Sequence, residues 1–174
     1  MTSSSTRHLL FGLAGVAIVA SSSCKTKPNW QAFELNGLKM EVPVTPAPSK
    51  AAVPESVASV MEEFKMWTGH WSDGEMNLAY SRYRQPANLR GAFDGAVSGL
   101  KTVLTDLEVK DTPVDINGRS AIEGRATFVI NGKKGTGYLL SIVDGNQLWQ
   151  IQLIGPGGTL GGAEDKIKAS LKFN

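Results

Sequence analysis

Between residues 31 and 42 apolar and polar side chains alternate, QAFELNGLKMEV, and the alternation breaks once, at Asn36 and Gly37. A period of two marks a strand with one buried face, and Asn-Gly suits a two-residue type I′ turn, so the stretch predicts a β-hairpin. That turn sets Leu35 against Leu38 and Phe33 against Met40, with Glu34 and Lys39 paired on the other face. The segment EEFKMWTGHWSDGEMNLAYSRY has Val60, Phe64 and Trp67 at helical spacing just before and within it, yet its aromatic residues gather on one face only as a second hairpin. With the turn at Asp73-Gly74, Trp71 meets Met76, Gly69 meets Leu78 and Trp67 meets Tyr80. Between the hairpins, residues 43 to 56 hold four prolines and predict an extended loop without a ladder of its own.

After Pro86 the period changes. Leu89, Phe93, Val97, Leu100 and Leu104 recur every three or four positions, the stripe of an amphipathic helix over about 88–105. Four strands follow, around 107–116, 119–130, 135–143 and 147–154, separated by Asn117-Gly118, Asn131-Gly132 and Asp144-Gly145-Asn146. A turn centred on Gly145 and Asn146 sets Ile142 against Trp149, Leu140 against Ile151 and Tyr138 against Leu153. A three-residue loop over 131–133 is expected, because it puts Ile122 and Ala126 on that apolar face and a two-residue loop puts Arg125 there. The glycine-rich GPGGTLGG then leads to a short helix, about 163–170, whose Glu164 and Asp165 suit the positive end of its dipole. Together these elements give an α+β domain: an antiparallel β-sheet of hairpins and a meander packed against a long central helix and a short C-terminal helix.

The beginning of the chain is different in kind. Arg7 and His8 precede an apolar run from Leu9 to Ala20, about 12 residues and too short for a bilayer core of roughly 20. Ser21, Ser22 and Ser23 close it, so residues 1–23 have the three parts of a secretory signal peptide. The chain's single cysteine, Cys24, comes next. This arrangement resembles the lipobox of bacterial lipoproteins, with Ser21 where an aliphatic residue is usual, and implies acylation of Cys24 as the new N-terminus. A lone free thiol fits an oxidising compartment poorly, which supports the lipid-bearing alternative over an ordinary signal cut. Residues 24–30 then form a tether and residues 31–174 one domain. Lys25 is not the aspartate that signals inner-membrane retention in many Gram-negative lipoproteins, so the resemblance implies the outer membrane, facing the periplasm.

Within the domain, FELNGLKMEVP, SIVDGNQLWQIQLIGP and KIKASLKF resemble the PsbP/DcrB-like, or Ran-binding Mog, superfamily. That group includes an accessory protein of photosynthetic oxygen evolution, a nuclear Ran-binding protein and bacterial envelope lipoproteins. It implies the α+β scaffold with varied partners and no shared catalytic residues.

Charge and candidate chemistry narrow the function further. The net charge is +2, or +1 once Arg7 leaves with the leader, and the basic residues are scattered, which does not make a nucleic-acid footprint. Only His70 remains as a histidine in the mature chain, with no G-x-S-x-G elbow and Asp73 as its nearest acid, so neither a triad nor a zinc site is expected and no metal or cofactor is assigned. Glu62 and Glu63 are neighbours expected on opposite faces of a strand, and Asp111 and Asp115 could share a face, though so do many solvated pairs. IGPGGTLGG lacks the Gly-Lys-Ser/Thr ending of a P-loop and is expected to be a connection. Gly91, Gly95 and Gly99 are spaced by four opposite the helix's apolar stripe, at a cost of up to about 1 kcal/mol each relative to Ala. They are the candidate groove for a partner or for the 43–56 loop. The expectation is a non-enzymatic envelope lipoprotein, membrane-bound through Cys24 and binding another envelope component; the alternative is a small-ligand or enzyme module with its cleft between sheet and helices.

Overall fold

The computed structural model describes residues 27–50 and 55–174. Its elements in chain order are β1 (Gln31–Leu35), β2 (Leu38–Val42), β3 (Ala47–Pro48), α1 (Glu55–Ala58), β4 (Met61–Trp71), β5 (Gly74–Tyr83), α2 (Leu89–Lys101), β6 (Thr105–Ile116), β7 (Arg119–Ile130), β8 (Lys133–Asp144), β9 (Gln147–Gly155), α3 (Ala163–Ser170) and β10 (Lys172–Phe173). They form two antiparallel sheets, one ordered β1-β2-β10 and one ordered β3-β4-β5-β9-β8-β7-β6. The expected α+β architecture is present. Its division into two sheets, with the first hairpin leaving the large sheet to pair with residues 172–173, adds to the expectation.

The first hairpin has the expected register, with Leu35 opposite Leu38 and Phe33 opposite Met40, and Asn36 and Gly37 both at positive φ as a type I′ turn requires. The last hairpin also holds, since Ile142, Leu140 and Tyr138 oppose Trp149, Ile151 and Leu153. These six side chains are buried together with Met76, Leu78 and Tyr80 of β5 and Leu35, Leu38, Met40 and Val42 of the small sheet. Ile167 and Leu171 close this first core. A second core lies on the other face of the large sheet, where Phe93, Ala96 and Leu100 of α2 meet Ile122, Phe128, Leu139 and Ile154. The large sheet is therefore covered on both faces.

Helix α2 begins where Asn88 caps it, its Oδ1 accepting from the Gly91 N–H at 2.9 Å. It ends as the Thr102 hydroxyl donates to the Gly99 carbonyl at 2.7 Å. Arg90 pairs with Asp94 one turn on and with Asp111 of β6 at 2.5 Å, fixing the helix against the edge strand.

Three expectations are corrected. Asn131-Gly132 is a two-residue turn with both residues at positive φ, so Arg125 does oppose Tyr138 and Glu123 opposes Leu140. Ile122 and Ala126 face α2 instead. The reason is α3: it brings Glu164, Asp165 and Lys168 over β7, so Arg125 finds Asp165 at 3.0 Å and Glu164 at 3.6 Å, and Lys168 binds Glu123. The second hairpin turns at Ser72-Asp73, with Trp71 opposite Gly74 and Gly69 opposite Met76. That shift by two keeps the same face inward. It also seats Gly74 in the strand, where a Cβ would come within 2.6 Å of the Ile154 carbonyl oxygen. Finally, the proline-rich stretch does take part in a ladder, as Ala47 and Pro48 pair with Thr68 and Trp67 at the sheet edge.

Candidate functional site

Cys24 and the leader lie outside the described residues. From Asn29 the chain is held, its N–H donating to the Pro43 carbonyl at 2.8 Å, and the half-buried Trp30 ring receives Lys166 Nζ at 4.0 Å from its centroid. The glycine series is divided by the fold. Gly91 is half-buried against its own N-cap, where a Cβ would meet the Asn88 side chain at 3.2 Å. Gly95 is buried beside Ala92 and Ala96, and Gly99 is half-buried at the turn that Thr102 closes.

The inner strands reveal a feature that the sequence reading missed. Among the described residues α2 packs on β8, β7 and β6. On the same face, the neighbouring strands β5 and β9 carry Glu75, Asn77, Gln150 and Gln152, each at most 8% exposed. Asn77 and Gln152 are opposite each other, as are Ala79 and Gln150, and Ser141 of β8 continues the second row. Gln150 Nε2 donates to the Ser141 hydroxyl at 3.2 Å and to the Ala92 carbonyl at 3.3 Å, tying this patch to α2. Asn77 Nδ2 donates to Glu75 Oε1 at 3.3 Å. The signal was present in WQIQL: in a strand with apolar residues at every second position, Gln at the intervening ones marks the opposite face as polar.

At the rim of this patch, His70 Nδ1 lies 3.6 Å from Glu75 Oε2, and the His70 side chain is 42% exposed. Burial pushes the Glu75 carboxyl above the ordinary range, partly offset by the Asn77 amide and by His70. Amides and hydroxyls can orient a bound group by hydrogen bonding, whereas His70–Glu75 is the single acid–base couple here. The other candidate acids are engaged elsewhere. Asp111 holds Arg90, Asp115 Oδ1 accepts from the Gly118 N–H at 2.8 Å, and Glu62 and Glu63 both meet Arg82. An irregularity in the β4 register between Met61 and Glu63 accompanies this shared contact, so the expected split of the two glutamates across the strand does not occur. Among the described residues no three His, Cys, Asp or Glu side chains are grouped to hold a metal ion.

No family model and no curated protein matches the chain. Among solved structures, it is similar to cyanobacterial PsbP (CyanoP) from Synechocystis sp. PCC 6803, with a TM-score of 0.54 and 13% identity over 90% of this chain and 99% of that one. LpqN, involved in cell envelope biogenesis of Mycobacterium tuberculosis, matches with a TM-score of 0.49 and 13% identity, covering 88% of this chain and 87% of that one. A protein of Bacteroides thetaiotaomicron VPI-5482 matches with a TM-score of 0.48 and 14% identity, over 87% of this chain; the chain spans 49% of that protein's length. The CyanoP likeness is one of fold: the chain has a PsbP-like α+β fold.

Proposed function

We propose that this chain is a non-enzymatic lipoprotein of the cell envelope, anchored through Cys24 and serving as an accessory or binding domain for another envelope component. The observation that carries the reading is the shortness of the link between the acylation signal and the folded part. Five peptide steps lead from Cys24 to Asn29, where the backbone is already bonded to Pro43, so the anchor lies at most about 18 Å away. A PsbP-like domain on so short a leash works at a membrane surface.

The test is intact mass and detergent partitioning of the protein from its native host. A diacylated N-terminus at Cys24 in the detergent phase is expected, since two chains give stable anchoring. Unmodified protein in the aqueous phase refutes the anchor. The polar patch of Glu75, Asn77, Gln150 and Gln152 favours a second reading, a small-ligand or enzyme module. Cys24→Ser separates the two: an accessory domain loses its role in the host on release, whereas a ligand module keeps its activity in solution.

A further inference from the structure

The outer face of the small sheet contains an arrangement that stability does not explain. Lys39 of β2 and Lys172 of β10 are register partners, so two like charges stand directly opposite each other. Such pairs are destabilising. Both side chains are exposed, and neither forms an ion pair among the described residues. Glu34, opposite Lys39 on the other side, has its carboxylate engaged by the Asn174 amide at 3.2 Å. The two lysines border a depression of ≈ 440 Å³ between β2 and α3, completed by Lys166, Glu41, Ser170, Met40, Ala32 and Ala169. Lys166 is shared between Glu41, at 3.3 Å, and the Trp30 ring. The depression therefore adjoins the point where the tether enters the fold.

We propose that this face meets the anionic headgroups of the membrane in which Cys24 is anchored, with Lys39, Lys172 and Lys166 around a lipid phosphate. The occupant follows from reach and charge. The tether keeps Trp30 and Lys166 within about 20 Å of the lipid surface. A domain leaning on its tether brings the lysines inside the Debye length of about 8 Å at which surface charge is felt. Trp30 beside a lysine is the side-chain pair found at membrane interfaces. The headgroup supplies the negative charge that the Lys39–Lys172 pair lacks.

This inference rests on the anchored reading, but its test does not use the anchor. The chain from residue 24, with Cys24→Ser, retains every described element and is sedimented with vesicles of phosphatidylcholine alone or mixed with phosphatidylglycerol. Binding to the anionic vesicles only is expected, weakening with salt. Each lysine near such a surface is worth roughly fivefold in affinity, so Lys39→Gln with Lys172→Gln should weaken binding about 25-fold. The same double variant should keep or raise the melting temperature, because the like-charge pair is gone. Equal binding to both vesicles, or anionic binding untouched by the two substitutions, overturns the proposal. So does a chain that binds inorganic phosphate through these lysines and ignores vesicles. An unacylated Cys24 in the host overturns the anchor without altering the vesicle result.

Discussion

Trp149 joins the two sheets, and its replacement tests that junction. The side chain is 2% exposed on β9, and its indole N–H donates to the Leu35 carbonyl at 2.9 Å and, more weakly, to that of Asn36 at 3.3 Å. Its ring meets Phe173 edge-on at 5.1 Å and Tyr80 at 5.6 Å. Trp149→Phe keeps an aromatic body but removes the donor aimed at the first hairpin's turn. The Leu35 carbonyl keeps the Leu38 N–H that closes the turn, so losing the indole hydrogen bond costs about 0.5–1.5 kcal/mol. The smaller ring forfeits about 1 kcal/mol of apolar burial. The sum is about 1.5–2.5 kcal/mol, a large share of the 5–15 kcal/mol typical of a domain's stability. Trp149→Ala, which also loses both ring contacts, should cost about 3–5 kcal/mol or more. Urea unfolding followed by far-ultraviolet circular dichroism measures both, and amide exchange should accelerate first at Leu38 and Met40. If Trp149→Phe lies within about 0.5 kcal/mol of wild type, the N–H does not hold the sheets together. If Trp149→Ala does too, the core register is wrong.

Two other side chains give tests of their own. Glu75 has its folded pKa raised from the ordinary 4.5, so the folded state binds the proton more tightly than the unfolded one; the stability it contributes is greatest below about pH 4.5 and falls as pH rises through the raised value. Glu75→Gln should therefore be more stable than wild type at neutral pH and indistinguishable from it near pH 4, as read by urea midpoints across that range; equal midpoints at neutral pH refute the cause assigned to burial. Gly124→Ala should destabilise by about 1–3 kcal/mol, because the added Cβ would lie 2.6 Å from the Phe93 ring and push α2 off the sheet; an unchanged thermal midpoint shows that Phe93 moves freely.

The registers that could be read in the sequence are those fixed by a turn and an alternation that agree. Asn36-Gly37 and Gly145-Asn146 each sit between strands whose apolar positions allow one pairing only, and both registers are found. At Asn131-Gly132 the two signals conflict. The turn chemistry asked for two residues, while keeping Arg125 from the apolar face asked for three, and the turn chemistry wins because α3 supplies acids across the gap. That information lies some forty residues downstream and cannot be seen locally. The same limit hid the small sheet, since no local pattern shows that two residues after α3 will pair with β2. Of the candidate site, the glycines were visible as a spacing, but their different surroundings were not. Gln150 and Gln152 became meaningful only when β5 placed Asn77 and Glu75 beside them.

The pairing of β10 with β2 also sets an order of events for folding. Lys39 and Leu38 wait for Lys172 and Phe173, the Gly37 carbonyl waits for the Asn174 N–H, and the Asn117 amide waits for the Leu171 carbonyl. A chain synthesised as far as β9 has its large sheet's strands in hand, but it lacks Phe173 over Trp149 and Ile167 over the apolar rows. Closure over such a separation is slow relative to local hairpin formation. The face of the large sheet that carries Trp149 is thus closed only when this last strand is available, so the final residues of the chain, not its first hairpin, complete the core.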